Sequence, residues 1–239
     1  MKYAFNVGLL VILLVGWVNG QENPGLGFFQ EDAPELAVKG FVLASDHGSW
    51  SMNCYVAWDR DSKHAVVVDP GIPSQDVVAF IRAEDLKLQA ILITHGHSDH
   101  VGGVAFLVAR FPVPVYLQRH DHALATRTTG AGIAFKDFPG NGRLQAGELA
   151  FEVIPTPGHS PGSVCFKSGG ILFSGDTLFA GTVGKAHGSS PKEREDNLGR
   201  EIENIRCKLL ILPPMTRVHP GHGSSTSIGR EKAFNRFLK

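Results

Sequence analysis

Thr94 to Gly103 reads T-H-G-H-S-D-H-V-G-G, so three histidines and an aspartate (His95, His97, Asp99 and His100) stand within a single short stretch. Imidazole nitrogens and carboxylates at this density form a donor set suited to Zn²⁺, Fe²⁺ or Mn²⁺. In an extended segment, side chains two apart point the same way, so His95 and His97 can reach one ion. Asp99 and His100 follow at the turn into the next expected helix and can be offered to a second ion nearby. With no cysteine in the set, an open catalytic centre is expected rather than a closed structural one. Three further candidates stand where apolar runs end: His159 in T-P-G-H-S-P-G, Asp176 in F-S-G-D-T-L-F and His222 in H-P-G-H-G, which also contains His219. A glycine precedes each of the three, letting the backbone approach closely and aim a ligand from a loop.

Such residues need strand ends to hold them, and the rest of the chain supplies candidates. Val38–Ala44, Cys54–Trp58, Ala65–Asp69, Leu88–Thr94 and Val113–Leu117 are β-branched, aromatic or continuously apolar runs closed by Asp, Gly or Pro. Leu149–Ile154, Ser163–Lys167 and Ile171–Ser174 read the same way. Ser74 can cap a helix whose Val77, Val78, Ile81 and Leu86 recur at helical spacing. Further helices are expected over Val101–Phe111, Glu193–Cys207 and Ser227–Leu238. Strands dominate early and helices punctuate them, which favours stacked sheets flanked by helices over a doubly wound parallel sheet.

Composition narrows the function. The 239 residues carry 23 Lys+Arg against 23 Asp+Glu, a formal charge of zero, and 43% are hydrophobic. No basic footprint for nucleic acid is present. Three cysteines, none in a C-x-x-C pair, exclude a disulfide scaffold and a thiolate zinc site. At the N-terminus, Lys2 precedes an almost uninterrupted apolar run from Val7 to Val18, and Val18-Asn19-Gly20 fits a cleavage site before Gln21. Residues 1–20 therefore read as a signal peptide and 21–34 as a polar lead-in to a single domain over 35–239. The apolar run falls short of the roughly 20 residues needed to span a bilayer, so no stable membrane anchor is expected. The expected location is secreted or periplasmic.

In order and spacing, T-H-G-H-S-D-H-V-G-G, T-P-G-H-S-P-G-S, F-S-G-D-T-L-F and P-G-H-G resemble the metal motifs of the metallo-β-lactamase-fold hydrolase superfamily, and within it the glyoxalase II-like branch. The resemblance runs from about Val38 to the C-terminus. It implies an α/β (α+β) fold, an αββα sandwich of two mixed sheets flanked by helices, with two divalent metal ions at one edge. By motif match His95, His97 and His159 would hold the first ion, Asp99, His100 and His222 the second, and Asp176 would bridge them. Asp99 and Asp176 are then the catalytic carboxylates. The implied chemistry is attack by a metal-bridging hydroxide on an acyl carbonyl. A thiolate leaves without a strong proton donor, so a small-molecule acyl thioester or ester is the expected substrate, and Zn the expected metal, with Fe or Mn suited to the same donors. The resemblance also gives Lys185, in G-T-V-G-K, a substrate-binding role. The chain departs from larger glyoxalase II enzymes by ending soon after His222, and Ala186-His187-Gly188 departs from the usual Arg-Thr-Asp-like run. An exported lactonase or β-lactamase of the same fold, and a mononuclear-iron persulfide dioxygenase, stay open as alternatives.

Overall fold

The computed structural model describes residues 30–32, 36–44 and 51–239; the signal peptide expected over 1–20 and most of the lead-in at 21–34 lie outside the described residues. Two sheets stack face to face. The first follows chain order: β1 (Gln30–Asp32), β2 (Ala37–Ala44), β3 (Ser51–Trp58), β4 (His64–Val68), β5 (Lys87–Leu92), β6 (Val115–Tyr116) and β7 (Phe135–Lys136). The second is built from β8 (Arg143–Ala146), β9 (Leu149–Pro155), β10 (Val164–Ser168), β11 (Ile171–Gly175), β14 (Arg217–Pro220) and β15 (Thr226–Ser227), in the order β15-β14-β11-β10-β9-β8. A short ribbon, β12 (Leu178–Phe179) with β13 (Thr182–Val183), extends from it. Both sheets are mixed: β4 through β7 run parallel after an antiparallel meander, and β11 pairs β14 in parallel within an otherwise antiparallel set.

The apolar runs lack a polar alternation because both faces of these strands are covered. In β4, Val66 and Val68 point into the core between the sheets, where they meet residues such as Phe151, Phe166 and Phe173; Ala65 and Val67 point to the helical side. Full burial of each of those phenylalanines is worth roughly 1.5–3 kcal/mol. Helices α1 (Gln75–Ala83), α2 (Ser98–Val101) and α3 (Val104–Val108) cover the first sheet, and α5 (Pro191–Asn204), the π-turn Ile205–Leu209 and α6 (Ile228–Phe234) cover the second. Four layers result, the αββα sandwich expected from the motifs. Among the described residues no helix is long and apolar enough to cross a membrane.

Several boundaries differ from the sequence expectation. The single helix expected over 101–111 is two short ones broken at Gly102-Gly103, because this pair lies against the loop after β4. Gly103 N–H donates to Pro70 O at 2.7 Å, and a Cβ on Gly103 would come within 2.3 Å of Ile72 O. The helix expected from Ser227 to Leu238 stops at Phe234. Helix α4 (His122–Thr129) and strands β8 and β14 fall in segments without a clear periodic signal. The Ser74 cap is present: its Oγ accepts from Val77 N–H at 3.3 Å.

Candidate metal centre

Each ligand loop starts where a strand ends, and the strands β5, β9, β11 and β14 all end on the same edge. His95–His100 follow β5, His159 follows β9, Asp176 follows β11 and His222 follows β14. Hydrogen bonds across the edge lock these loops together: Val164 N–H to Thr94 O at 2.9 Å, Gly221 N–H to Gly175 O at 2.8 Å, and Asn53 N–H to Gly221 O at 2.7 Å. Gly175, at φ +50°, turns the chain so that Asp176 points inward, and its backbone passes so close to Thr94 that a Cβ would meet Thr94 Oγ1 at 2.3 Å.

Seven side chains converge. His159 Nε2 lies 3.1 Å from His95 Nε2 and 2.8 Å from His97 Nδ1. Nearby, His222 Nε2 is 3.3 Å from Asp99 Oδ2, and His100 Nε2 is 4.0 Å from the same oxygen. Asp176 stands between the groups: Oδ1 is 3.3 Å from His100 Nε2, and Oδ2 is 3.6 Å from His159 Nε2 and 3.4 Å from His222 Nε2. His95, His97 and His159 form one set of donor atoms close enough to share an ion, and Asp99, His100 and His222 form another. Donors about 2.1 Å from a tetrahedral ion sit roughly 3.4 Å apart, close to these separations. The chemistry of the set also fits metals: buried His100 Nε2 and Asp176 Oδ1 lack a properly directed hydrogen-bond partner, a costly arrangement without a cation.

Groups behind the ligands fix which nitrogen faces inward. His100 Nδ1 meets Asp69 Oδ2 at 2.9 Å, His159 Nδ1 donates to Lys185 O at 2.8 Å, and His222 Nδ1 donates to Ser51 O at 2.5 Å. In each case Nδ1 is engaged outside the cluster, which turns Nε2 inward, where it would meet a cation once its proton is displaced. Asp69 also accepts from Thr94 N–H at 2.8 Å and Thr94 Oγ1 at 2.7 Å; these bonds hold it at φ +50°. From α5, buried Glu201 accepts from Gly184 N–H at 3.0 Å and fills the space that a Cβ on Gly158 would need.

Burial, reinforced by His100 and His159, holds His95 well below the ordinary histidine range. Burial lowers His97 as well and brings His159 to about 4. These three imidazoles are neutral at pH 7, with lone pairs available. Burial opposes a charge on His100, but Asp176 and Asp69 on either side outweigh it and hold the group well above the ordinary value. Hydrogen bonds to Asp176 and Asp99 raise His222 to about 10, and burial raises Glu201 to about 8.

These shifts set the stability profile of metal-free protein. Below about pH 6.5 the unfolded chain takes up protons that His95, His97 and His159 refuse in the fold, so stability falls with pH. His100 and His222 act oppositely: their contribution is complete below about 6.5 and is lost as pH rises, towards 10 for His222. Glu201 adds to the alkaline loss between its unfolded value and about 8. Melting of metal-free protein between pH 4.5 and 9.5 is expected to peak near 6.5; a flat profile would contradict these protonation states.

Every metal ligand expected from sequence joins the cluster, whereas His219 does not. It is buried between Tyr55 and Phe173, with Nδ1 3.0 Å from Ser225 Oγ. Lys185 is exposed and lines a cavity of about 430 Å³ over the cluster, with Phe179 and His187. His187, not singled out as a site residue in the sequence, has its ring 4.8 Å from that of His97 and 5.1 Å from that of His159. Larger clefts of about 690 and 760 Å³ lie around Ser168-Gly169, at the other end of β11. Neither is lined by histidine.

The sequence matches the model of the metallo-beta-lactamase superfamily over residues 48–232. It is 34% identical over 205 residues to hydroxyacylglutathione hydrolase GloC of Haemophilus influenzae, an alignment covering 80% of this chain and 94% of the relative. Among solved structures it is similar to the BLEG-1 B3 metallo-beta-lactamase, with TM-score 0.70 and 34% identity over 84% of this chain and 99% of the other. It is similar too to TTHA1623 in a di-iron-bound form, with TM-score 0.63 and 38% identity over 83% and 100%. Strand-end ligands in two groups around a shared aspartate, on an αββα sandwich matched along nearly its whole described length, leave one conclusion: the chain belongs to the metallo-beta-lactamase superfamily.

Proposed function

We propose that this protein is a dinuclear-metal thioesterase acting on hydroxyacyl thioesters. The observation that carries the reading is Asp176, whose two oxygens face both donor clusters. Similarity to a hydroxyacylglutathione hydrolase points to the same substrate class. Bound divalent cations supply a water acidified towards neutrality and polarise an acyl oxygen. The chain's own residues do the rest. His95, His97 and His159 would hold one cation and Asp99, His100 and His222 the other, with Asp176 facing both. Asp69, Lys185 O and Ser51 O keep three imidazoles turned inward. Zn²⁺ is the proposed metal; the di-iron relative makes Fe the competitor that elemental analysis must separate. Steady-state hydrolysis of a 2-hydroxyacyl thioester, a lactone and a β-lactam by metal-analysed protein tests the assignment.

A second reading, β-lactam hydrolysis, is favoured by His187, an imidazole at the cavity mouth that can hand a proton to a departing amine, and by the similarity to BLEG-1.

Lys185 lines the same cavity, and its ammonium offers a point charge to a substrate carboxylate. Lys185→Ala is expected to raise KM for an acidic thioester about tenfold with a smaller change in kcat, the mark of lost uniform binding. A neutral thioester should respond little. Equal effects on both would remove Lys185 from substrate recognition.

The apolar leader supports export, so the mature chain is proposed to begin at Gln21 outside the cytoplasm. N-terminal sequencing of protein from its native source checks this; Met1 retained on a cytoplasmic chain would refute it.

A further inference from the structure

Asp121 ends the one-turn 3-10 helix Arg119–Asp121, just before α4, and none of its surface reaches solvent. Its carboxylate bonds go to two loops far apart in sequence. Oδ2 accepts from Gly96 N–H at 2.9 Å and from Ser160 Oγ at 2.6 Å, and Oδ1 accepts from Gly162 N–H at 2.8 Å. Gly96 lies between His95 and His97, and Ser160 follows His159. One buried carboxylate thus grips both halves of the first donor cluster.

The glycines and serines around those histidines are shaped to receive it. A Cβ on Gly96 would come within 2.7 Å of Asp121 O, and a Cβ on Gly162 within 2.6 Å of Asp121 Cγ. Ser163 Oγ accepts from Ser160 N–H at 3.0 Å and lies 2.8 Å from Ser160 Oγ, so the loop is braced into the position Asp121 requires. Apart from the imidazoles themselves, the two loops are joined by Val164 N–H to Thr94 O. The other cluster is anchored differently: Asp99 and His100 sit on α2, and His100 is held by Asp69.

We propose that Asp121 is a positioning residue that sets the spacing of His95 and His97 against His159, and so tunes metal affinity at that cluster while leaving the Asp99–His100–His222 cluster nearly unaffected. The inference rests on the two-cluster reading above. Asp121→Asn keeps the size but turns an amide N–H₂ towards donors that need an acceptor, so one loop is released. Loss of such an outer hydrogen bond typically weakens metal binding about 10- to 100-fold.

The test measures Zn²⁺ affinity by competition with a chromophoric chelator in two backgrounds of the full chain, with circular dichroism as a check on folding. In His222→Ala, which disables the second cluster, Asp121→Asn is expected to weaken binding about 10- to 100-fold. In His97→Ala, which disables the first, the same change should alter affinity less than about threefold. Equal losses in both backgrounds would make Asp121 a general structural support and overturn the proposal, as would no loss in either. Should Asp121→Asn fail to fold, Ser160→Ala carries the test with a several-fold loss confined to the His222→Ala background; its absence there overturns the proposal. If the His222→Ala protein with Asp121 intact binds no Zn²⁺, the cluster assignment itself has failed.

Discussion

Asp176→Ala is expected to lower turnover at least about a hundredfold, some 2.7 kcal/mol of barrier, and to reduce the metal content from two ions towards one, with the fold retained. Among the described residues, Asp176 is the side chain whose oxygens face imidazoles of both clusters, so its removal uncouples them. Its carboxyl is held well below the ordinary range: burial opposes the charge, but the imidazoles of His100 and His222 against its oxygens prevail. It is therefore an acceptor at any pH where the protein works. The fold should survive because Asp176 lies in the loop beyond β11, outside the three apolar clusters. Circular dichroism, elemental analysis and steady-state rates check the three parts. Activity within a few-fold of the parent, with two ions retained, would reduce Asp176 to a turn residue.

The neighbourhood of Asp176 sharpens that expectation. A Cβ on Gly221 would stand 2.2 Å from Asp176 Oδ1 and 2.6 Å from His100 Cε1. The glycine before His222 therefore does more than free the backbone of its loop; it leaves room for the carboxylate between the two clusters.

The clustered donors were legible in the sequence because they are local: His95, His97, Asp99 and His100 are nearly contiguous, and His159, Asp176 and His222 each follow an apolar run and a glycine. The residues behind them were much harder to see. Asp69 had a weak signal, a charge closing V-V-V-D-P-G, yet its partners Thr94 and His100 lie on another strand end. Asp121 sits in R-H-D-H, which reads as a polar surface turn, and Glu201 sits in a helix dense with charge. Both are fully buried only because distant loops fold over them. The same distinction governs the fold. Strands with continuous apolar runs were visible, whereas β8 and β14 are short and carry polar residues, and their burial depends on neighbours. The break at Gly102-Gly103 follows from the approach of Pro70–Ile72, a long-range contact that helical periodicity does not record.

Hydrolysis of a 2-hydroxyacyl thioester is expected to exceed that of the matching amide by about three orders of magnitude, roughly 4 kcal/mol of barrier. The leaving group sets the preference. A thiol with a pKa near about 8.5 departs as thiolate without a strong proton donor, whereas an amine must be protonated as the bond breaks. Around the 430 Å³ cavity, His97, Asp99, His159, Asp176 and His222 belong to the donor clusters; Phe179 has no proton to give, Ser98 offers only a hydroxyl, and Lys185 is assigned to the substrate carboxylate. His187 is the remaining candidate, and its ring leans on His97 and His159. The thioester reading therefore requires that His187 add little to the rate, and the lactamase reading requires that it add much. Parallel kinetics of the parent and His187→Ala on a thioester, its amide and a β-lactam separate them. Comparable parent rates on thioester and β-lactam, with a selective loss on the β-lactam in His187→Ala, would overturn the thioesterase assignment and make the cavity-mouth imidazole the proton donor of an amide-cleaving enzyme.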